Sequence, residues 1–251
     1  MTDNKARNTG IAIVALTAIL VIALALGRAF RDRSPHIEPD RSRYPVTGLD
    51  LSSHNGVVNF DSLSSAGIDF VFIKASEGVR FRDSAFGRNY AGARRTGIPV
   101  GAYHFFRFDC DGRLQAINLL NAVNDCRLDL PLAIDVEESG NPASTATELI
   151  VGRLQSMVAY LQAAGHEVII YTNKTGDARF MRRNFDNSAD GTPELWICSF
   201  TDPPLTRRPW LFWQHSHCSR VPGIKGKVDM NTFNGSRDEW NRWIGSRRHP
   251  Q

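Results

Sequence analysis

The chain has 251 residues, of which 42% are hydrophobic and 22% charged, and its formal net charge is +4. Its basic residues are dispersed apart from a few arginine pairs such as Arg182-Arg183. Nucleic-acid-binding proteins usually concentrate their cations in a denser patch, so we expect no nucleic-acid partner. A basic surface would also suit an anionic polymer such as a bacterial cell wall, and charge alone does not identify the partner.

The N-terminal part of the chain is apolar. A short basic tail, residues 1–10, precedes residues 11–27, which contain an apolar run from Ile11 to Leu26. This run predicts a transmembrane anchor or a signal peptide, with Ala23-Leu24-Ala25 as an acceptable cleavage site. The arginines that follow it favour a cytoplasmic domain, but a long domain can be translocated despite flanking charge. We therefore expect a cell-envelope protein, either membrane-anchored with its domain outside the cytoplasm or secreted after cleavage.

The cysteine content favours the same compartment. An even number of cysteines, four, is typical of an oxidising environment. Proximity in sequence favours disulfides between Cys110 and Cys126 and between Cys198 and Cys218, although connectivity does not follow from sequence alone. Four free buried thiols are the alternative.

The remaining chain is predicted to form one α/β domain. Residues 28–45, rich in Arg, Pro, Ser and Asp, offer no core and are expected to be a linker, and residues 246–251 a basic tail. Between them, in residues 46–245, short apolar strands alternate with longer helical patterns, which predicts βα units and a parallel sheet. After about residue 195 there is little room for helices, so we expect an irregular (β/α) TIM-like barrel with fewer outer helices in its C-terminal third. The predicted strands are 46–51, 70–74, 100–105, 132–136, 168–171, 195–198, 210–213 and 227–229, and the predicted helices are 83–96, 113–123 and 144–164.

Carboxyl groups follow several of these strands. Asp135 and Glu137 are separated by one residue at the end of an apolar run, and because strand side chains alternate, both should lie on one face. Each raises the proton affinity of the other, and glycoside hydrolysis needs such a pair of acid and carboxylate. A solvated strand end with two unrelated acids is the alternative. Asp50 and Asp229 also follow short apolar stretches, so we expect four acids at one rim of the barrel.

Aromatic residues at neighbouring strand ends indicate a sugar-binding groove. Pyranose C–H faces pack on aromatic rings while polar groups fix their orientation. We expect Tyr103, Tyr171 and Trp196 to line this groove and Gln214 to supply a polar contact to the substrate. Phe105 is expected in the core.

Metal and nucleophile chemistry receive less support. His215 and His217 stand beside Cys218, but the spacing lacks the second cysteine pair or the longer histidine interval of structural zinc sites. The sequence contains no nucleophile elbow, P-loop or dinucleotide fingerprint. His104 is expected to be a packed or hydrogen-bonded histidine rather than a base.

In order along the chain, eight short motifs resemble glycoside hydrolase family 25, the Chalaropsis-type lysozymes or N-acetylmuramidases. Together they span nearly the whole predicted domain, which makes them far more specific than any one motif. They are GLDLS (48–52), FIKASEG (72–78), GAYHF (101–105), IDVE (134–137), IYT (170–172), LW (195–196), WQ (213–214) and VDMN (228–231).

The resemblance implies an irregular barrel that hydrolyses the β-1,4 bond between N-acetylmuramic acid and N-acetylglucosamine in peptidoglycan. No metal or organic cofactor is implied. By position, Glu137 matches the general acid, Asp135 a partner carboxylate that should stay ionised, and Asp50 and Asp229 two further acids of the cleft. Asp135 would either steady an oxocarbenium-like transition state or orient the substrate's 2-acetamido group as an internal nucleophile.

Two other functions remain open at this stage. One is a catalytically silent, membrane-tethered module that binds peptidoglycan, which the crowded acids argue against. The other is a chitinase-like hydrolase, but the D-x-x-D-x-D-x-E run of that class is absent. For the lysozyme and for the silent binding module alike, the expected partners are peptidoglycan and, through the N-terminal segment, a membrane. The chain is expected to be a monomer.

Overall fold

The computed structural model describes residues 36–185 and 192–248, all of which belong to one compact unit. The predicted basic tail and apolar segment of residues 1–27, and the start of the predicted linker, lie outside the described residues. Within the described ranges, no helix combines the length and apolar character that a membrane crossing requires.

Eight strands close into a barrel, which confirms the predicted α/β barrel architecture. Around the barrel the order is β1-β2-β4-β5-β6-β7-β8-β9, and β9 pairs back with β1. The strand β3 adds a two-residue hairpin partner to the end of β2. The strands are β1 (Thr47–Leu51), β2 (Phe70–Glu77), β3 (Phe81–Arg82), β4 (Val100–Phe105), β5 (Leu132–Asp135), β6 (Val168–Asn173), β7 (Glu194–Cys198), β8 (Trp210–Ser219) and β9 (Val228–Phe233).

The direction of β9 departs from the predicted parallel sheet. All neighbouring pairs from β1 to β8 within the barrel are parallel, whereas β9 is antiparallel to both β8 and β1. The connection from β8 to β9 spans only residues 220–227, too short for the crossover that a parallel strand needs. Asp229 therefore stands near the start of its strand, not at its end, and still reaches the rim where the parallel strands finish.

Helices cover the outside of only part of the barrel. Those between β2 and β6 fall where the sequence predicted them, and the stretch from β7 to β9 contains no helix, as expected for the C-terminal third. In the longest helix Ile150 is buried, whereas Leu149 is 55% exposed. The helices are α1 (Phe60–Ser65), α2 (Phe86–Thr96), α3 (Gly112–Val123), α4 (Thr147–Ala163) and α5 (Arg237–Arg248), with a short irregular helical stretch over residues 174–181.

Aromatic side chains fill the inside of the barrel. Phe70 and Phe72 pack edge to face with ring centroids 6.1 Å apart, and the Trp240 ring of α5 approaches Phe70 to 5.3 Å. Glycines on adjacent strands make room for these rings: a Cβ atom at Gly48 would lie 2.2 Å from Phe70, and one at Gly101 would lie 2.5 Å from Phe72. The barrel is thus a packed core closed by α5 at one end, which leaves the opposite rim for a site.

Residues 36–45 take the place of an outer helix on β7 and β8. Ile37 and Tyr44 pack against a cluster that includes Ile197 and Trp213. The Ile37 N–H donates to the His215 carbonyl oxygen (3.1 Å). The described end of the predicted linker therefore covers apolar surface that would otherwise face water.

None of the four cysteines forms a disulfide, so the predicted disulfides are wrong. Cys110 and Cys126 flank the two ends of α3, a 12-residue helix about 18 Å long, whereas a disulfide requires Cα atoms within about 7 Å. Cys198 pairs in register with Gln214, and Cys218 lies four residues further along β8, about 13 Å away. Proximity in sequence therefore did not translate into proximity in space.

The contact between α3 and α4 yields a stability prediction. A Cβ atom at Gly112 would lie 1.8 Å from the Arg153 carbonyl oxygen, a backbone atom that cannot move without shifting α4. We expect Gly112→Ala to lower the free energy of unfolding by about 1–3 kcal/mol or more. Gly152→Ala, in the same helix pair with no atom within 4 Å of the new methyl group, should instead gain about 0.5–1 kcal/mol. Urea unfolding of both variants checks the opposite signs, and equal effects would contradict this packing.

Candidate active site

A cavity of about 620 Å³ opens at the rim where the parallel strands end and β9 begins. Every acid and every groove residue predicted from the sequence lines this cavity. These residues are Asp50, Tyr103, Asp135, Glu137, Tyr171, Trp196, Gln214 and Asp229. Residues from seven different barrel strands, together with Glu137 just after β5, thus meet in one place although they are far apart in sequence.

Among the four acids of the cavity, Asp50 on β1 accepts hydrogen bonds from two side-chain amides. It is buried, and its Oδ2 accepts hydrogen bonds from Gln214 Nε2 (2.9 Å) and Asn231 Nδ2 (2.8 Å). Burial raises the pKa of Asp50, while the hydrogen bonds from Asn231, Gln214 and Asp229 lower it. Because hydrogen-bond donors favour the charged form of a carboxyl group, Asp50 is the acid of the cavity whose ionised form is best stabilised.

Asp229 is paired with Asp50 across the β1–β9 ladder. Burial, the charge of Asp50 and a hydrogen bond to it raise the pKa of Asp229 to about 9. At neutral pH Asp229 therefore favours its protonated form, and its O–H can donate a hydrogen bond to Asp50.

Asp135, at the end of β5, is buried, and its Oδ1 has no hydrogen-bond partner among the described residues. Burial, followed by the charges of Glu137 and Asp50, raises the pKa of Asp135 well above its ordinary value, and the charge of Lys74 partly opposes this. In the free cavity Asp135 thus favours the neutral form, whereas the sequence led us to expect an ionised group. The difference arises because no donor stabilises its charge after burial.

Glu137 is less buried than Asp135 and projects from the loop after β5. Burial and the charge of Asp50 raise its pKa, and Lys74 lowers it. Asn141 fixes this loop: its Nδ2 donates to the carbonyl oxygens of Glu137 and Phe106 (both 2.9 Å). Glu137 is therefore a carboxyl group of raised proton affinity on a well-anchored backbone, open to the cavity.

Lys74 is a cavity residue that the sequence reasoning did not single out. Its side chain is 12% exposed, and its Nζ donates to Glu77 Oε2 (2.8 Å) and lies 5.0 Å from the ring centroid of Phe105. Its charge lowers the pKa of both Asp135 and Glu137. A lysine two residues after Phe72 in an apolar strand must face the barrel interior, and this alternation was the signal available in the sequence.

The predicted groove residues differ in how much of each side chain is accessible to a ligand. Tyr171 and Trp196 are buried, and their polar atoms are used internally: the Tyr171 hydroxyl donates to Gln214 Oε1 and Trp196 Nε1 to Asn231 Oδ1 (both 2.8 Å). Gln214, which also donates to Asp50, holds that carboxylate in place. Tyr103 is more exposed than these and is best placed to contact a ligand.

Phe105 and His104 complete the comparison with the sequence predictions. Phe105 is buried, as predicted, but it also lines the cavity. His104 is fully buried between Ser76 Oγ (2.8 Å) and Gln115 Oε1 (3.1 Å), and burial lowers its pKa to about 4, so it is a neutral structural residue. Over residues 36–185 and 192–248, no group of three or more His, Cys, Asp or Glu side chains is arranged to hold a metal ion.

Comparison with known proteins relates this cavity to one family. The family model "Glycosyl hydrolases family 25" matches residues 49–224. Lysozyme M1 of Streptomyces globisporus is 32% identical over 76% of this chain and 68% of its own length. The N,O-diacetylmuramidase of Arthroderma benhamiae is 28% identical over 90% of this chain and 97% of its own length. The solved structure of a family 25 glycosyl hydrolase from Bacillus anthracis has a TM-score of 0.73 at 32% identity, covering 84% of this chain and 97% of that one.

Proposed function

We propose that this chain, which belongs to family 25 of the glycosyl hydrolases and is a glycoside hydrolase, is a lysozyme with Glu137 as its general acid. Its reaction would be hydrolysis of the β-1,4 bond between N-acetylmuramic acid and N-acetylglucosamine in peptidoglycan. The observation that carries this proposal is the meeting of four carboxyl groups with raised pKa values in one cavity. The identity of the sugar at each newly formed reducing end tests it.

Glu137 suits the role of acid because its pKa is raised by burial and by Asp50, while its side chain remains partly accessible. A general acid works best when it is protonated near the working pH and can reach the leaving oxygen. Protonation of the glycosidic oxygen by Glu137 would let the C1–O bond break as positive charge develops on the sugar.

Asp135 suits the role of partner through its unsatisfied oxygen. The N–H of a substrate 2-acetamido group is a donor that Asp135 Oδ1 lacks in the free cavity. A hydrogen bond to the charged form lowers a carboxyl pKa, so substrate binding would favour ionised Asp135 and leave Glu137 with the proton. The acetamido oxygen, held in this way, would act as the internal nucleophile, and direct electrostatic support of the sugar cation is the alternative.

Asp50 and Asp229 would supply negative charge on the opposite wall. Asp50 is held by Gln214 and Asn231 and faces protonated Asp229, so one net negative charge is fixed there at neutral pH. Fixed charge directed at a developing cation stabilises the transition state without reorganisation. No step in this scheme requires a metal or an organic cofactor.

Lys74 provides a test of the acid through pH. Because the charge of Lys74 lowers the pKa of Glu137, Lys74→Met should raise that pKa. The alkaline limb of kcat/KM, where the acid loses its proton, should therefore move to higher pH. Lys225→Met removes an exposed lysine that does not line the cavity, so its alkaline limb should stay in place. A limb that is unmoved or displaced downward in Lys74→Met would contradict Glu137 as the acid.

We further propose that residues 11–27 anchor the chain in the membrane with its catalytic domain outside the cytoplasm, or direct its secretion if they are removed. The apolar run from Ile11 to Leu26 supports this location. N-terminal sequencing of the mature protein distinguishes the two forms, and a monomer is expected in either.

A further inference from the structure

An exposed cationic hairpin stands beside the cavity. After β2 the chain turns at Gly78 and returns through β3, and we call residues 78–83 the arginine hairpin. Arg80, Phe81 and Arg82 are all exposed, with Phe81 51% exposed. The structure gives neither arginine a carboxylate partner among the described residues. Two guanidinium groups without a carboxylate partner among the described residues are thus presented to solvent beside a half-exposed phenyl ring.

The arginine hairpin is held rigidly by α3. The Asn118 side chain is buried, and its Nδ2 donates to the carbonyl oxygens of Gly78 and Phe81 (both 3.0 Å). The Asp83 N–H donates to the Ala75 carbonyl oxygen (3.0 Å) and closes the hairpin base. A surface fixed before binding loses little conformational entropy when a ligand arrives.

The Lys74 side chain connects the hairpin to the catalytic cavity. Lys74 Nζ lies 5.6 Å from the ring centroid of Phe81 and 5.0 Å from that of Phe105. Lys74 and Phe105 both line the cavity, so Phe81 borders it from outside. A ligand that occupies the cavity can therefore extend over the hairpin.

A groove beside the hairpin combines charge with apolar surface. It has a volume of about 440 Å³ and is lined by Arg80 and Arg82 together with Leu114 and Ile117 of α3. Leu114 is 52% exposed. The groove therefore suits a ligand that carries both carboxylates and small apolar groups.

We propose that the arginine hairpin and its groove bind the stem peptide of peptidoglycan. This inference rests on the proposed function. The glycan backbone is largely neutral, whereas the peptide attached to the muramic lactyl group carries carboxylates and small apolar side chains. Asp50, the carboxylate of the cavity, disfavours that anionic peptide there, while Arg80 and Arg82 attract it just outside.

The test compares two forms of the same uncrosslinked glycan strands, one bearing stem peptides and one from which an amidase has removed them. For the full chain, Arg80→Gln combined with Arg82→Gln should raise KM about tenfold on peptide-bearing strands, because hydrogen bonds between charged groups are lost. It should leave kcat within about twofold there and leave kcat/KM on peptide-free strands unchanged. Arg207→Gln combined with Arg242→Gln removes the same charge from exposed positions elsewhere and should change neither substrate.

Equal loss on both substrates would overturn the proposal and assign the hairpin to the glycan or to general attraction. Unchanged KM on peptide-bearing strands would also overturn it. Failure of the wild-type chain to cleave either substrate would instead contradict the proposed function. In that case, the affinities of the wild-type chain and the hairpin variant for fluorescent peptide-bearing and peptide-free strands decide the peptide question separately. A wild-type preference for peptide-bearing strands that the hairpin variant loses supports the proposal. A wild-type chain without that preference, or a variant that keeps it, overturns the proposal.

Discussion

Glu137→Gln should lower the rate of peptidoglycan hydrolysis by about 10²–10⁴-fold, the usual contribution of a general acid. The amide has nearly the same shape as the carboxyl group but cannot protonate the glycosidic oxygen. The loop is held through the Glu137 backbone by Asn141, not through its carboxyl group, so the fold should survive. Release of reducing ends from purified walls, together with a thermal melt, measures both parts of this expectation.

The neighbouring residue supplies a matched control for the acid. Glu138 is exposed and pairs with Arg179, and it does not line the cavity. Glu138→Gln should therefore keep nearly full activity, since surface ion pairs contribute little. Retained activity in Glu137→Gln, or an equal loss in Glu138→Gln, would reject Glu137 as the acid.

Asp135→Asn should lose about 10²–10³-fold in rate while becoming more resistant to heat at alkaline pH. The folded protein raises the pKa of Asp135 above its unfolded value. For an acid shifted in this direction, the native state is not penalised below the unfolded pKa of about 3.9, and it loses stability as the pH rises towards the folded pKa. Removing the carboxyl group removes this loss, so the gain in melting temperature should be larger at pH 8 than at pH 4.

Thermal melts of wild type and Asp135→Asn at pH 4, 6 and 8 measure this difference. Asp125→Asn, an exposed loop position after α3, serves as the control and should follow the wild type at each pH. A melting temperature for Asp135→Asn that falls below wild type at pH 8 would show that its charge is satisfied in the native state. A gain in stability with a loss of rate would instead identify Asp135 as a residue kept for function at a cost in stability.

The local sequence pattern was sufficient to predict the four acids and the barrel rim at which they meet. The one-residue spacing of Asp135 and Glu137 placed both on one strand face, and the acids at other strand ends indicated a common rim. The strand and helix order could be read because each barrel strand is a short apolar run between turns. These features depend on neighbours in sequence, which a sequence displays directly.

The features that the sequence did not reveal depend on distant neighbours. The donors that hold Asp50 come from Gln214 and Asn231, the latter 181 residues away in sequence. The burial of Asp135, which raises its pKa, and the lack of a donor to its Oδ1 among the described residues are likewise properties of the assembled barrel. The antiparallel direction of β9 follows from a short connection whose path only the closed barrel fixes.

The packing of residues 36–45 and the four unbridged cysteines also differ from what the local sequence predicted. A polar, proline-rich composition predicted a linker, yet Ile37 and Tyr44 cover a gap that exists only because β7 and β8 lack an outer helix. The two cysteines that flank α3 are separated by the length of a helix that the sequence itself predicted. That length, applied to the cysteine spacing, would have excluded the disulfide.

The most direct test of the central claim is mass spectrometry of purified peptidoglycan digested by this protein and then reduced to mark each new reducing end. A muramidase acting through Glu137 predicts reduced muramic acid at those ends, and none with Glu137→Gln. Reduced glucosamine at the new ends would contradict the assigned bond and indicate a glucosaminidase. Binding to walls with no soluble fragments from either protein would contradict catalysis altogether and favour a peptidoglycan-binding module.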